Sequence, residues 1–338
     1  MIVVFRPDAS QEQIDQILLK AEKLGLKTNV SKGIERTIVG LIGPEEILQV
    51  TPLEAFEGVE KVIPVLAPYR LVSREYQPED SIIRINDTIQ VGSKKLHVMA
   101  GPCSVEDHDR MLRVARSVKE AGGTILRGGA FKPRTSPYDF QGLGEEGLKI
   151  LKDAGAANQL ATVTEVMDPR DLDLICRYVD ILQVGARNMQ NFALLKEIGK
   201  TKKTVLLKRG MSATIKEWLM SAEYILANGN FNVIFCERGI RTFETATRNT
   251  LDINAVAVVK QLSHLPILVD PSHATGRWGL VAPAAKAAVA AGCDGLMVEV
   301  HQNPKEAFSD GEQSLVPDKF KVLMQELKLV AQAVSREL

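Results

Sequence analysis

The sequence is poor in cysteine. It contains four cysteines in 338 residues. They are widely scattered, with no CxxC spacing, at Cys103, Cys176, Cys236 and Cys293. A disulfide framework or a zinc ribbon would need paired or closely spaced cysteines. This usage instead favours a cytoplasmic protein with reduced thiols.

Long hydrophobic runs and net charge are also absent. The longest apolar runs have the length of strands, so we expect no transmembrane span. Met1 to Phe5 is followed at once by Arg6-Pro7-Asp8, without the basic start and small-residue cleavage site of a secretory signal. Lys+Arg and Asp+Glu are both 42, which gives a net charge of zero. This balance argues against nucleic acid or an anionic membrane as the main partner.

The first part of the chain predicts a small α+β domain over residues 1–66. Strand and helix patterns follow the order β-α-β-β-α-β, which is typical of a ferredoxin-like fold. Ser10 is suited to cap the first helix, and Pro44-Glu45-Glu46 to begin the second. No catalytic constellation is visible there. Residues 67–95 are predicted to form a linker and a β-hairpin, with strands at Ile82–Ile85 and Thr88–Val91.

Residues 96–338 carry a repeating strand and helix pattern. The predicted strands are His97–Ala100, Thr124–Arg127, Ala161–Glu165, Ile181–Val184, Thr204–Lys208, Asn232–Cys236, Ile267–Asp270 and Gly295–Val300. Several are continuous apolar runs, as expected of parallel strands buried on both faces. Eight strands alternating with helices predict a (β/α)8 TIM barrel. A doubly wound open sheet is the alternative, but no GxGxxG follows a strand.

The stretch from Thr124 to Gly144 concentrates positive charge. Arg127, Lys132 and Arg134 fall within one short segment beside the Gly128-Gly129 turn, with no carboxylate before Asp139. Arginine forks near a glycine-rich turn suit a ligand that carries phosphate or carboxylate. A solvated basic loop would give the same local pattern, so the rest of the chain has to decide.

Almost every predicted barrel strand ends in a charged or titratable residue. In barrel order these are Cys103, Arg127, Glu165, Arg187, Lys208, Arg238, Asp270 with His273, and Glu299 with His301. Active sites of such barrels lie at the carboxyl ends of the strands. Six cations would repel each other in one pocket unless the ligands are polyanions. The six are Arg127, Lys132, Arg134, Arg187, Lys208 and Arg238.

A second group of strand-end residues has the chemistry of metal ligands. Cys103, His273, Glu299 and Asp310 offer a thiolate, an imidazole and two carboxylates. This mixed set suits a borderline divalent ion such as Mn, Fe, Co or Zn, whereas calcium and magnesium would not select a thiolate. Spacing leaves two alternatives open. Cys103 could be ordinary core, and His301 competes with His273 for the imidazole position.

Seven motifs in these positions give the chain a specific resemblance. They are Ala100-Gly101-Pro102-Cys103-Ser104, Leu126-Arg127-Gly128-Gly129-Ala130-Phe131-Lys132-Pro133-Arg134-Thr135-Ser136, Gly185-Ala186-Arg187-Asn188, Leu207-Lys208-Arg209-Gly210, Cys236-Glu237-Arg238-Gly239, Asp270-Pro271-Ser272-His273 and Val298-Glu299-Val300-His301. With them the chain resembles the 3-deoxy-D-arabino-heptulosonate 7-phosphate (DAHP) synthases. The similarity is to the type I beta group, which carries a ferredoxin-like leading domain.

The resemblance implies a reaction and a set of site residues. The family condenses phosphoenolpyruvate with erythrose 4-phosphate and releases phosphate, at the start of the shikimate route to aromatic amino acids. It implies a divalent metal held by Cys103, His273, Glu299 and Asp310. The implied substrate contacts are Arg127, Lys132, Pro133, Arg134, Thr135, Ser136, Ala186, Arg187, Lys208, Arg238 and Asp270. The catalytic candidates are Lys132, Glu165, Asp270 and His301.

The resemblance also implies regulation and assembly. The leading domain would bind an aromatic amino acid, Tyr or Phe, as an allosteric effector, and the chain would form a homotetramer in the cytoplasm. The closest rival is a 3-deoxy-D-manno-octulosonate 8-phosphate synthase, whose members resemble Lys-Ala-Asn where this chain has Lys132-Pro133-Arg134. A non-catalytic barrel that binds a sugar phosphate is the second rival. Such a barrel would be expected to lack one of the metal ligands, but all four are present here.

Overall fold

The chain folds into two compact units. The computed structural model describes residues 1–33, 36–44, 47, 52–63 and 68–338. One unit runs from Met1 to Pro68 and the other from Tyr69 to Leu338. Among the described residues, every helix is too short or too polar to span a bilayer.

The first unit is a four-stranded antiparallel sheet with a helix against it. Its strands are β1 (Ile2–Phe5), β2 (Lys27–Lys32), β3 (Thr37–Ile42) and β4 (Val59–Ile63), in the order β2-β3-β1-β4. Helix α1 (Gln11–Lys23) begins at a capping box in which Ser10 and Gln13 exchange hydrogen bonds. Ile14 and Ile17 on α1 pack with Val3 and Phe5 of β1. The second helix is predicted to begin at Pro44-Glu45-Glu46, and Glu45 and Glu46 lie outside the described residues.

The second unit contains a closed barrel of eight parallel strands. These are β7 (His97–Gly101), β8 (Ile125–Arg127), β9 (Ala161–Val166), β10 (Ile181–Val184), β11 (Thr204–Lys208), β12 (Val233–Glu237), β13 (Ile267–Val269) and β14 (Gly295–Glu299). Each strand pairs with its sequence neighbours, and β14 closes the barrel against β7. The predicted TIM barrel with a ferredoxin-like leading domain is confirmed.

Helices surround the barrel and bury its outer face. They are α2 (His108–Glu120), α3 (Glu145–Ala157), α4 (Leu172–Cys176), α5 (Phe192–Gly199), α6 (Ile215–Ala227), α7 (Asn254–Leu262), α8 (Pro271–Thr275), α9 (Trp278–Ala290) and α10 (Pro317–Ala333). The strands are buried from both sides, which explains their continuous apolar sequences.

A short hairpin packs against the interior of the barrel. It pairs β5 (Ile83–Arg84) with β6 (Gln90–Val91). Ile83, Ile89 and Val91 are buried in one cluster with inward-facing residues of the strands, including Met99 and Ile125. Apolar side chains therefore fill this part of the barrel, and the charged residues gather where the strands end.

Two local features at the strand ends shape the site. The predicted strand Ile267–Asp270 stops at Val269, because the Asp270 carboxylate accepts the His273 N–H at 2.9 Å and caps α8. On β7, Gly101 lies so close to β8 that an added Cβ would meet the Arg127 carbonyl oxygen at 2.1 Å. Only glycine allows these two strand ends to approach so closely.

Candidate functional site

A charged cavity lies at the carboxyl ends of the barrel strands. The residues that line it are Arg127, Lys132, Pro133, Arg134, Thr135, Asp139, Glu165, Gln183, Gly185, Ala186, Arg187, Lys208, Arg238, Arg248, His273, Ser309 and Asp310. All six cations singled out from the sequence are among them. The structure thus brings together side chains that lie more than a hundred residues apart in the chain.

Four potential metal ligands meet beside the cavity. Cys103, His273, Glu299 and Asp310 each direct one ligand atom into a group whose atoms all lie within 4.8 Å of one another. The His273 Nε2 atom is 3.5 Å from a Glu299 oxygen and 3.6 Å from an Asp310 oxygen. The Cys103 sulfur is 3.2 Å from the same Asp310 oxygen. Such spacings suit ligands around one divalent ion, and we call these four residues the donor cluster.

Without a metal, the donor cluster holds a neutral thiol and a neutral imidazole. Burial, reinforced by the Glu299 carboxylate, raises the pKa of the Cys103 thiol to about 11. Without a cation the sulfur is therefore a thiol, which donates its hydrogen to Asp310. A bound divalent ion would convert it to the thiolate that metals prefer. Burial also lowers the pKa of His273, so its imidazole is neutral and able to bind a metal.

Two fully buried carboxylates of this region, Glu299 and Asp270, have cationic partners. Arg127 donates to Glu299 at 2.7 Å, with both side chains buried. Lys208 donates to Asp270 at 2.6 Å. Burial alone would raise the pKa of Asp270, but His273 and Lys208 outweigh it and hold the pKa well below its usual range. The Nδ1 atom of His273 lies 2.8 Å from Asp270 without meeting the geometry of a hydrogen bond.

Lys132 links the donor cluster to the cations. Its ammonium group donates to the Cys103 carbonyl oxygen at 2.9 Å and approaches the Cys103 sulfur at 3.0 Å. The turn beneath it needs glycine, since a Cβ on Gly129 would lie 2.8 Å from both the Cys103 carbonyl oxygen and the Lys132 side chain. The Gly128-Gly129 turn thus allows the lysine to lie over the cysteine.

The remaining cations have few protein partners. Arg238 is buried, and within the described part of the chain its guanidinium donates only to the Gly239 carbonyl oxygen, at 3.3 Å. Burial lowers the pKa of Arg238. Arg134 pairs with Asp139 at 3.1 Å, and Arg187 is exposed at the cavity wall. These arginines keep most of their donors available for an anionic ligand.

His301 does not join the donor cluster. It is buried, and its Nε2 atom lies 3.2 Å from Glu106, away from the cavity lining. The alternative that His301 supplies the imidazole ligand is thus not what the geometry favours. Glu165 does line the cavity, next to Gln183 and beneath Gly185. Ser136 does not line it, and its hydroxyl accepts the Tyr138 N–H at 3.2 Å instead.

Sequence reasoning missed several residues of the site. Arg248 donates to both Asp310 and Gln313, and Gln313 donates in turn to Glu299 at 2.8 Å. These two residues therefore connect the two carboxylates of the donor cluster. Arg248 lies in a loop and Gln313 in the short 3-10 helix Gly311–Gln313, so a search of the strand ends could not find them. The motifs around Glu299 and Asp310 could not indicate Arg248 as a partner, because it lies 62 residues from Asp310 in the sequence.

Comparison with known proteins shows the family. The DAHP synthetase I family matches residues 80–335, and the DAHP synthase ferredoxin-like domain matches residues 1–67. The chain belongs to the DAHP synthetase I family. The resemblance inferred from the motifs is confirmed, and with it the assignment as an enzyme.

Individual relatives agree with the family match. A phospho-2-dehydro-3-deoxyheptonate aldolase from Thermotoga maritima is 51% identical over 334 residues, which cover 99% of this chain and 98% of the relative. A crystal structure of the Thermotoga maritima phospho-2-dehydro-3-deoxyheptonate aldolase (DAHP synthase) has a TM-score of 0.94 at 49% identity, and covers 99% of this chain and 98% of that one.

The rival sister family is more distant. A 2-dehydro-3-deoxyphosphooctonate aldolase from Syntrophotalea carbinolica is 29% identical over 266 residues, which cover 73% of this chain and 95% of the relative. The similarity to the heptonate enzyme also extends over the leading unit, which an alignment covering 99% of the chain must include.

Proposed function

We propose that the chain condenses phosphoenolpyruvate with erythrose 4-phosphate and water to give DAHP and phosphate, the first step of the shikimate pathway. The observation that carries this proposal is the single cavity in which six cations adjoin the donor cluster. The cations would pair with the anionic groups of the two substrates, and the donor cluster would bind one divalent metal. The family to which the chain belongs is named for this reaction.

Phosphoenolpyruvate would bind to five of the cations. Its phosphate and carboxylate need several charge-assisted donors, and the cavity holds them in fixed positions. The proposed contacts are Arg127, Lys132, Arg187, Lys208 and Arg238. The arginines whose donors are least used by the protein, Arg187 and Arg238, would gain most from the ligand.

Erythrose 4-phosphate would bind along the loop that follows β8. Arg134, Thr135 and Pro133 line the cavity there, and Ala186 faces them from the loop after β10. Arg134 would hold the sugar phosphate, since its one carboxylate partner, Asp139, is solvent-exposed. Asp270 lies beneath Lys208 and would fix the direction of that lysine toward both substrates.

Cys103, His273, Glu299 and Asp310 would hold a divalent metal, of which Mn, Fe, Co and Zn suit the thiolate-containing set. When bound, the metal would supply Lewis-acid polarisation of a substrate oxygen. The protein's own part is to hold the four ligand atoms together and to balance the charges of Glu299 and Asp310 with Arg127 and Arg248.

Two side chains would move protons in this reaction. As carbon 3 of phosphoenolpyruvate forms its bond to the aldehyde carbon, Lys132 would give a proton to the aldehyde oxygen. Water then adds at carbon 2, and phosphate leaves as the carbon–oxygen bond breaks. Glu165 would accept the proton of that water, because it lines the cavity, whereas Asp270 is engaged by Lys208 and His301 by Glu106.

A phosphate-release assay tests the reaction. Phosphoenolpyruvate is offered with erythrose 4-phosphate or with arabinose 5-phosphate, with and without divalent metal. We expect release with erythrose 4-phosphate only, and only with metal. The Cys103→Ala variant should lose metal-dependent turnover while keeping the circular dichroism spectrum of the barrel. Full activity of that variant after chelation would refute the metal assignment, and release with arabinose 5-phosphate alone would favour the sister reaction.

The leading unit would act as a regulatory domain. We infer that it binds Tyr or Phe and alters turnover in the barrel, that the chain assembles as a homotetramer, and that it works in the cytoplasm. Coupling of this kind requires a second site and a change of state. Assays of the full chain and of a form lacking residues 1–66, each with Tyr and Phe, test the regulation. Inhibition of the full chain alone supports it, and light scattering reports the subunit number.

A further inference from the structure

Glu106 joins two loops at the rim of the barrel. It follows β7 in the segment that also carries Cys103, and its side chain is only 4% exposed. Its Oε1 atom accepts the Phe308 N–H at 2.7 Å. Its Oε2 atom meets the His301 Nε2 atom at 3.2 Å and the Arg110 guanidinium at 3.1 Å. One buried carboxylate therefore receives donors from both ends of the loop after β14.

The neighbouring hydrogen bonds fix the direction in which His301 donates. The Asn303 N–H can only donate, and it points to the His301 Nδ1 atom at 3.0 Å. The Nδ1 atom must therefore be the acceptor, and the proton of the neutral ring resides on Nε2, facing Glu106. His301 is a connector between Glu106 and the loop, which accounts for its distance from the cavity lining.

The same loop delivers a member of the donor cluster. Phe308 is fastened to Glu106, and the Ser309 hydroxyl lies 2.7 Å from the Ser104 hydroxyl. The next residue, Asp310, adopts the left-handed conformation with φ of 52° and turns its carboxylate to the Cys103 sulfur. Aspartate is one of the few residues besides glycine that adopt this conformation readily. The hydrogen bond from Phe308 to Glu106, two residues before Asp310, ties this turn to the segment that bears Cys103.

We propose that Glu106 is a positioning residue for the donor cluster, which keeps Asp310 at ligand distance from Cys103. The inference rests on the metal centre of the proposed function and adds a residue that touches neither metal nor substrate. A ligand on a loop loses conformational entropy when a metal orders it. A loop that Glu106 has already ordered avoids this cost, so the affinity for metal should depend on Glu106.

Metal affinity in the full chain tests this role directly. Metal-free Glu106→Ala and Glu106→Gln variants are titrated with cobalt(II) against a competing chelator. The absorption of the cobalt–thiolate bond reports whether Cys103 is a ligand. We expect a dissociation constant about 10–100-fold higher than that of the unmodified chain, because the partners that orient metal ligands contribute about this much. The thiolate absorption should persist at saturation, since Cys103 itself remains.

Glutamine at position 106 is the sharper substitution. It keeps the volume and one acceptor of Glu106, but its amide group would oppose a donor at either Phe308 or His301. We expect weaker cobalt binding without a large fall in melting temperature of the metal-free chain. Glu306→Gln is the matched control. Glu306 is exposed and accepts from the Arg110 Nη2 atom at 3.2 Å, on the side of the guanidinium away from the Glu106 contact, so its loss should leave the cobalt affinity unchanged.

The outcomes separate this inference from the function on which it rests. If Cys103→Ala abolishes the thiolate absorption but both Glu106 variants bind cobalt as tightly as the unmodified chain, the positioning role is wrong and the metal centre stands. If Cys103→Ala keeps both absorption and affinity, the metal centre itself is wrong. Should Glu106→Ala fail to fold, the Glu106→Gln titration decides by the same criterion.

Discussion

The two sides of the cavity differ in how their charges are balanced. On the side of β7, β13 and β14, each carboxylate has a cation of the protein beside it: Glu299 has Arg127, and Asp310 has Arg248. On the side of β10 and β12, neither Arg187 nor Arg238 has a carboxylate within ion-pair distance in the part of the chain that the structure describes. On the donor side, the carboxylates therefore already have counter-charges from the protein. On the cationic side, the two arginines gain a counter-charge only when an anion binds.

This difference shows how one barrel can hold opposite charges close together. The donor cluster consists of groups whose partners are already in place, so a small cation can enter without large rearrangement. The cationic side keeps its donors free, so its binding energy is released when phosphate or carboxylate enters. Lys132 and Arg127 line the same cavity as the cationic side and also contact the donor cluster, at Cys103 and Glu299. Substitutions of Lys132 and Arg127, and of residues on the cationic side alone, should separate metal binding from substrate binding.

Replacing Lys132 with Met should have the largest effect. The methionine keeps the length of the side chain but removes the proton donor and the cation beside the Cys103 sulfur. We expect the turnover number to fall by about 10²–10⁴-fold, the usual contribution of a positioned acid. Steady-state assays of phosphate release measure it. Lys149→Met, at an exposed position on α3, serves as the control, and equal losses in the two variants would contradict the role of Lys132.

Replacing Arg127 with Met should break the balance of the donor side. Glu299 would remain fully buried without its partner, and breaking such a buried pair costs about 3–5 kcal/mol of stability. Urea unfolding of the metal-free chain measures the loss. Added divalent metal should recover part of it, because Glu299 regains a cation.

A surface ion pair provides the comparison for Arg127. Lys286 pairs with Glu326 at 2.7 Å, with both side chains partly exposed. Lys286→Met should cost no more than about 1 kcal/mol, as surface pairs usually do. If Arg127→Met were as mild as this control, the proposed dependence of Glu299 on Arg127 would be untenable.

Replacing Arg238 with Ala should affect the cationic side alone. We expect the KM for phosphoenolpyruvate to rise about 10–100-fold, since a hydrogen bond from a charged group contributes about 1.5–3 kcal/mol. The KM for erythrose 4-phosphate and the affinity for metal should change little. Arg241→Ala, an exposed arginine nearby that does not line the main cavity, is the control. A loss of metal affinity as large as the rise in KM would argue against two distinct sides.

The fold was largely predictable from local patterns. The continuous apolar runs at Val205-Leu206-Leu207 and Ile267-Leu268-Val269 are buried barrel strands, and β10 and β11 begin and end where their patterns predict. Strand ends were less certain. Asp270 looks like the end of a strand in sequence, yet β13 ends at Val269 and the Asp270 carboxylate caps α8.

The candidate site was predictable in its residue types but only partly in its contacts. The positions at and after the strand ends predicted that six cations and four metal ligands lie at one end of the barrel, because parallel strands end on the same side. It could not choose between His273 and His301 without the family motif. Nor could it find Arg248, Gln313 or Glu106, since their partners come from loops distant in sequence.

The sequence by itself determined the alternation of strands and helices, and hence the chemistry available at the carboxyl ends, because periodicity and residue type are local properties. Only the tertiary structure decided which groups pair. Closure of β14 against β7 brings the loop of Asp310 to the segment of Cys103, and Glu106 holds the two together. Such pairings depend on distances of a few ångströms between segments far apart in the chain, and residue spacing along a sequence does not encode those distances.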